Sequence, residues 1–370
     1  MSAEQMFSDE PTRVGALVSE FLSNQSGSVV SPPEGPLTTL VVGADSRDDC
    51  AVFDVAEPAS VVVGSDYVRG PKFVLHELGL LSNFDIGYYA VAANVSDVAA
   101  MGATPIGVLT VVRYPPEMDD SSFREVMAGI HEACTDFGTL NVGGDIGGAE
   151  RLILSGSAVG IAHRGKTIGR AGARPGDLLC VTGPCGDLGA AVAYFPRRDT
   201  LGHLDTDVER RLIDAWRRPR ARVAEGRILG VRGFATACQD TSDGLKATIE
   251  QIARASEVGF MVDESSIPVS DLVTKVAGAI GLEPIALSLS ASSDFQLVFT
   301  LPAPYLAECA SAFADDGLSF DVIGTATTDL ALRMVRSDGT TSALPGVAWK
   351  HQDSDISTLA ANGPDVASRS

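Results

Sequence analysis

What the sequence has little of sets the first bounds. It has no Cys-x-x-Cys pair and only five histidines in 370 residues, so a zinc site built on cysteine and histidine spacing is excluded. Its six cysteines, Cys50, Cys134, Cys180, Cys185, Cys238 and Cys309, are scattered and read as buried thiols of a reducing compartment. No apolar run is long enough to span a bilayer, and the first ten residues lack a basic stretch and an apolar core. Neither a membrane span nor a secretory signal is expected, and the chain is assigned to the cytoplasm. Basic residues are scarce: 28 Lys and Arg stand against 48 Asp and Glu, a formal charge of −20. Such a field repels nucleic acid and anionic membrane, so neither is an expected partner. A P-loop and the protein-kinase signatures are not expected, and no serine sits in a nucleophile elbow.

What is present is enough for a folded protein of two domains. Apolar residues make up 45% and charged residues 21% of the chain. Residues 1–40 read as a variable extension, with a short helix over 15–22 and a Ser/Gly/Pro loop over 23–36. Strands are expected at 50–55, 60–65, 106–113 and 152–161, and helices at 84–101 and 119–137. This alternation predicts an α+β domain over 41–165. A second, α/β domain is expected over 166–352. It has strands at 178–182, 234–238, 295–300, 320–324 and 330–335, and helices at 207–229, 243–255 and 304–313. Pro219 should split the first of these helices. Residues 353–370 are small and polar and read as a flexible tail.

The informative feature is where the aspartates fall. Asp48-Asp49 precedes one predicted strand, and Ser65-Asp66 follows another. Asp97 lies inside an apolar helix, in Asn94-Val-Ser-Asp-Val-Ala-Ala-Met-Gly102. Asp145 follows two glycines in Val142-Gly-Gly-Asp-Ile-Gly-Gly148, and Asp240 and Asp243 stand between a strand and a helix. Carboxylates at strand ends and on a buried helix face cost several kcal/mol unless partnered, and few Lys or Arg are near in sequence. Mg²⁺, which takes oxygen ligands and bridges carboxylates to phosphates, would satisfy them. Each aspartate alone reads as a cap or turn residue, and for Asp243 the helix cap is the favoured single reading. Five such motifs together favour a metal site. The open glycine loop around Gly144 would let backbone N–H groups approach a phosphate.

At these motifs the chain resembles the thiamine-monophosphate kinase family. More broadly it is similar to the superfamily of aminoimidazole ribonucleotide synthetase, selenophosphate synthetase and the hydrogenase maturation dehydratase. The matching stretches also include Arg170-Ala-Gly-Ala-Arg-Pro-Gly-Asp177, Gly186-Asp187 and Arg218-Pro-Arg220. The resemblance implies a two-domain α+β fold of the aminoimidazole ribonucleotide synthetase type. It implies a homodimer whose amino-terminal domains pair their sheets, with ATP and Mg²⁺ as cofactors. Carried over residue by residue, Asp49, Ser65, Asp66, Asp97, Asp145, Asp240 and Asp243 would hold Mg²⁺. Gly144, Asp145, Arg170 and Ser242 would contact ATP. Asp66, Asp97, Asp145 and Asp240 are the expected catalytic set.

The departures fall where that family holds its substrate. Lys72 stands at the family's histidine, Ser293 replaces a glutamate in Ser290-Ala-Ser-Ser-Asp-Phe-Gln-Leu297, Ile146 replaces a threonine, and His351 follows Trp349-Lys350 in place of an aromatic. Lys72 and Ser293 are therefore expected at the substrate. The predicted activity is transfer of the γ-phosphoryl of ATP to a small phosphorylated metabolite other than thiamine monophosphate. Two alternatives stay open: a ligase or dehydratase that activates a carbonyl or amide oxygen as a phosphate, and a non-catalytic binding protein that keeps the fold.

Overall fold

The computed structural model describes residues 15–16, 19–30, 35–46, 50–68 and 71–347, with Pro71 and Lys72 described in backbone alone. These residues divide into two compact units. One holds the described residues up to 68 together with 81–168 and 217–233; the other holds 71–80, 169–216 and 234–347.

The first unit carries two sheets. β1 (Ser28–Val29), β2 (Thr38–Val42) and β3 (Val52–Val55) form a small antiparallel sheet. The main sheet has the order β4-β7-β5-β6, from β4 (Ala59–Val68), β5 (Thr104–Tyr114), β6 (Asn141–Gly148) and β7 (Ile153–His163). β7 pairs antiparallel with β4 and β5, and β6 runs parallel to β5. One cross-strand row joins all four strands: Asp66 faces Gly156, Gly156 faces Thr110, and Thr110 faces Gly144.

The helix Asn83–Ala100 covers one face of this sheet. Ser82 caps its first turn and Asp85 closes the capping box, so two otherwise unpaired N–H groups are satisfied. Nearly every residue of the helix is buried, because the sheet, the helix Asp120–Asp136 and the helix Val223–Arg232 all pack on it. Gly87 and Gly129 permit the closest approach. A Cβ on either would overlap a backbone carbonyl of the opposite helix, at Val126 and Phe84 respectively. The other face of the sheet is open. Val61 is 61% exposed, Val63 68% and Tyr67 40%.

The clearest departure from expectation is at the glycines before β7. Val142 to Gly148 reads in sequence as an open glycine loop, yet it is strand β6. Gly143 and Gly144 take φ of +142° and +141°, which glycine alone adopts freely. A Cβ on Gly144 would overlap the carbonyl of Thr110. The glycines are there to let this strand lie against β5.

The second unit is built on a seven-stranded sheet of order β14-β13-β10-β12-β8-β11-β9. Its strands are β8 (Asp177–Val181), β9 (Ala237–Asp240), β10 (Gly259–Asp263), β11 (Leu297–Pro302), β12 (Asp321–Thr327), β13 (Leu332–Val335) and β14 (Thr341–Ala343). Leu179, Val181, Phe260, Val262, Val298 and Ile323 form its core with Ile249 and Ile252 of the helix Leu245–Ser256. The predicted helix over 207–229 is two helices, Thr206–Arg217 and Val223–Arg232, interrupted around Pro219.

Five of the cysteines are buried and Cys50 is exposed. Burial pushes the Cys134 and Cys309 thiols up to about 12, which keeps them protonated and inert near neutrality.

Candidate active site

Two sets of the sequence-predicted residues come together locally, one in each unit. In the first unit β4 carries Ser65 and Asp66, and the helix Asn83–Ala100 carries Asn94 and Asp97. A Cβ added to Gly64 would lie 3.6 Å from Cβ of Asp97 and 3.8 Å from its Oδ2. The strand therefore lies beside the Asp97 side chain, at a separation that a Cβ at 64 would fill in ordinary contact. One turn earlier on the helix, Asn94 Oδ1 accepts the backbone N–H of Asp66 at 2.9 Å, and Asn94 Nδ2 donates to the carbonyl of Ala90. Asn94 thereby fixes the strand end that carries Asp66, and Asp66 Oδ1 accepts from Tyr67 N at 2.7 Å. Ser65 Oγ donates to the carbonyl of Gly156 at 2.7 Å and accepts from Ser157 Oγ.

Asp145 does not join this pair. Its neighbour Gly144 lies at the far end of the row that starts at Asp66, three strand spacings or about 14 Å away. Strand alternation also turns Asp145 to the open face, where its side chain is 60% exposed. There it is paired with the guanidinium of Arg113, from the end of β5. Arg113 carries charge directly beside a predicted site residue, and sequence reasoning missed it. The available signal was a lone arginine at the end of an apolar strand.

In the second unit the stretch Thr241–Gly244 links β9 to the helix Leu245–Ser256. Asp240 is almost fully buried, and its Oδ1 accepts from Ser242 Oγ at 2.9 Å. Thr241 is tied to Gln296 by two backbone-centred hydrogen bonds. Ser293 Oγ donates to the carbonyl of Ser242 at 3.0 Å, so it braces this loop. Asp243 is not the helix cap. That position is Gly244, at φ +93°, where a Cβ would overlap the carbonyl of Ser290. The Asp243 carboxylate accepts from Gln251 Nε2 instead. Arg170 is exposed, and its carbonyl accepts from Ser256 Oγ at 3.2 Å.

A second acidic pair lies at the start of the helix Asp187–Tyr194. Asp294 accepts the N–H groups of Gly186 and Leu188 at 2.6 and 3.1 Å, and burial raises its pKa. Asp187 accepts from Ser270 Oγ. Burial, with Asp294 and Asp271 nearby, pushes its pKa up to about 6.

Two strings misread by sequence are settled by their surroundings. Gly160-Ile-Ala-His-Arg-Gly-Lys-Thr167 does fit P-loop spacing, contrary to the expectation above. Here it is the end of β7 followed by a turn, and no helix opens at Lys166, so the helix N-terminus that binds phosphate is missing. Asp136-Phe-Gly138 likewise spells a protein-kinase signature, yet it is a helix stop. Phe137 ends the helix Asp120–Asp136, Gly138 takes φ +65°, and Asp136 accepts from Tyr88 Oη.

Asp49 and His351 lie outside the described residues, as does the Lys72 side chain. Among the described residues no group of three or more His, Cys, Asp or Glu converges on one point. Asp66 and Asp97 are nevertheless oxygen donors of the kind Mg²⁺ takes. Mg²⁺ commonly uses one or two carboxylates and completes its shell with water and substrate phosphates. The residues present fit that partial set. No described helix is long and apolar enough to cross a membrane.

Comparison with known proteins agrees with this arrangement. Residues 47–162 match the family described as AIR synthase related protein, N-terminal domain, and residues 174–335 match its C-terminal domain. Thiamine-monophosphate kinase from Halobacterium salinarum is 37% identical over 272 residues, 73% of this chain and 85% of the relative. The Methanopyrus kandleri thiamine-monophosphate kinase is 33% identical over 306 residues, 83% of this chain and 89% of the relative. The solved structure of thiamine-monophosphate kinase from Stenotrophomonas maltophilia is 26% identical, with a TM-score of 0.71 over 89% of this chain and 96% of that one. With both halves matched and such identity over most of each relative, the chain belongs to the AIR synthase related family, as a thiamine-monophosphate kinase-like enzyme.

Proposed function

We propose that the chain is a homodimeric, ATP- and Mg²⁺-dependent phosphotransferase whose acceptor is thiamine monophosphate. The observation that carries the chemistry is the placing of Asp66 and Asp97 on facing elements, with Asn94 fixing the strand at Asp66 and Gly64 lying beside Asp97. Bound Mg²⁺ would neutralise phosphate oxygens and orient them. Asp66, Asp97 and Asp145 are the residues assigned to hold it in the first unit, and Asp240 and Asp243 in the second. Gly144, Arg170 and Ser242 are assigned to the nucleotide. The charge balance supports this assignment, since a chain of formal charge −20 needs cations to receive a polyphosphate.

The acceptor differs from the one the sequence suggested. That suggestion rested chiefly on Lys72, Ser293 and His351, with Ile146, which lies in β6, a further departure. Ser293 is engaged by the carbonyl of Ser242 and acts as a loop brace, and the Lys72 and His351 side chains lie outside the described residues. Nothing in the geometry favours a different acceptor, and the curated relatives are named for thiamine monophosphate.

The homodimer is supported by the open face of the main sheet. Val61, Val63 and Tyr67 form an apolar stripe along edge strand β4, and covering it would remove both the stripe and the edge from water. The separation of Asp145 from Asp66 gives the dimer a chemical role, because the carboxylates one protomer cannot bring together can meet those of its partner.

The test is a coupled ADP-release assay with thiamine monophosphate beside other phosphorylated metabolites, with product identification. ADP and thiamine diphosphate are expected. Free phosphate in place of a new phosphoester would point to the ligase or dehydratase chemistry. No turnover on any acceptor would leave only a binding role.

A further inference from the structure

The pairing of Arg113 with Asp145 has no place in the proposed metal set as it stands, since a carboxylate satisfied by a guanidinium is not free to take a cation. Arg113 reaches it from the end of β5, two residues along the strand from Val111, which faces Asp145 across the parallel ladder. The two side chains therefore share the open face of the sheet. Gly147, which faces Arg113 in that ladder, is part of the arrangement: a Cβ there would overlap Nη1 of the guanidinium. The pair is solvent-accessible, with Arg113 35% and Asp145 60% exposed. Exposed pairs of this kind are weak and readily exchanged.

We propose that Arg113 is the resident counter-ion of Asp145, holding the carboxylate in the metal-free protein and moving to a phosphate oxygen when a divalent cation and nucleotide bind together. The inference rests on the assignment of Asp145 as a metal ligand. Its physical content is an exchange of partners. The cation replaces the guanidinium at the carboxylate, and the guanidinium, always charged and able to hold two oxygens at once, finds its new partner in the phosphate that arrives with the cation. Cation alone must break the pair without compensation, while cation with nucleotide does not. Arg113 thus makes metal binding depend on nucleotide.

The experiment measures Mn²⁺ binding by electron paramagnetic resonance on the full chain, and AMPPCP binding by calorimetry at saturating Mn²⁺. Arg113→Met should bind Mn²⁺ alone about two- to five-fold more tightly than wild type. The same variant should bind AMPPCP with Mn²⁺ about tenfold more weakly. Gly147→Ala keeps the arginine but crowds its guanidinium, and should shift Mn²⁺ affinity the same way as Arg113→Met. These opposite signs are what a merely structural ion pair would not give. Unchanged or weaker Mn²⁺ binding in Arg113→Met, with Asp145→Asn losing Mn²⁺, overturns the counter-ion role and leaves the ligand assignment intact. Unchanged AMPPCP affinity in Arg113→Met overturns the transfer to phosphate. If Asp145→Asn binds Mn²⁺ as wild type does, Asp145 is not a ligand, and both this inference and that assignment fall.

Discussion

Thr241 and Gln296 hold each other from both sides: the Thr241 N–H donates to the Gln296 carbonyl at 2.8 Å, and the Gln296 N–H donates to Thr241 Oγ1 at 3.0 Å. Thr241 is fully buried, and it sits between Asp240 and Ser242. The clasp fixes the loop that carries both assigned residues. Thr241→Val keeps the shape but leaves a buried N–H of Gln296 without its acceptor. A loss of about 1–3 kcal/mol is expected. Urea unfolding measures it, and a loss below about 0.5 kcal/mol would show that the clasp is not a main support of the loop.

Strand β6 gives a sharper contrast between neighbouring glycines. Gly144 combines φ +141° with a Cβ position that overlaps the carbonyl of Thr110, whereas a Cβ on Gly148 meets nothing within 4 Å. Gly144→Ala should destabilise the chain by about 3 kcal/mol or more, and Gly148→Ala by about 0.5 kcal/mol or less. Thermal melts of the two variants decide the matter. Equal melting temperatures would mean that β6 does not lie against β5 as described.

Asp187 supplies a pH signature. Its pKa is pushed up to about 6, above the ordinary 3.8, so between about pH 4 and pH 6 the folded state holds a proton that the unfolded state has released. A raised carboxyl pKa works against the fold at neutral pH, and its cost fades as pH falls from about 6 toward 4. Asp187→Asn removes the titration and can still accept from Ser270. At pH 7 the variant should be the more stable, by no more than about 3 kcal/mol. The advantage should shrink to near zero by about pH 4. Paired urea titrations across that range test it, and a gap that does not narrow with falling pH would count against a buried, protonated Asp187.

Much of the architecture is legible in the sequence because it rests on hydrophobic period. The helix Asn83–Ala100 and the strands at 59–68 and 104–114 follow from apolar spacing alone, and Pro219 marks the break between two helices. β6 was not legible, because glycine usually signals a turn and only the approach of Thr110 makes it a strand residue here. Asp243 looked like a cap because cap chemistry is local. The cap is Gly244, where the carbonyl of Ser290, distant in sequence, leaves no space for a Cβ. Of the site, the aspartate positions were legible as motifs, but their grouping was not. The distance between Asp66 and Asp145 comes from strand order, which pairs β7 between β4 and β5 and leaves β6 at the far edge.

That strand order leads to a test of the dimer as a catalytic unit. Asp66 and the neighbour of Asp145 stand about 14 Å apart within one protomer, on a sheet too rigid to bring them together. If one site uses both, it draws Asp66 from one protomer and Asp145 from its partner. Asp66→Asn and Asp145→Asn should each abolish turnover as homodimers. Neither should lose the fold, since each substitution keeps size and removes only charge. Mixing the two under conditions that let subunits exchange yields heterodimers, each with one doubly damaged site and one intact site. With random exchange, about a quarter of wild-type activity should return. Sites confined to single protomers would give no recovery, because every protomer then carries its own lesion. The control is Asp66→Asn mixed with itself, which should stay inactive under the same exchange. Recovery in the mixture alone would establish that each site is built by residues of two chains.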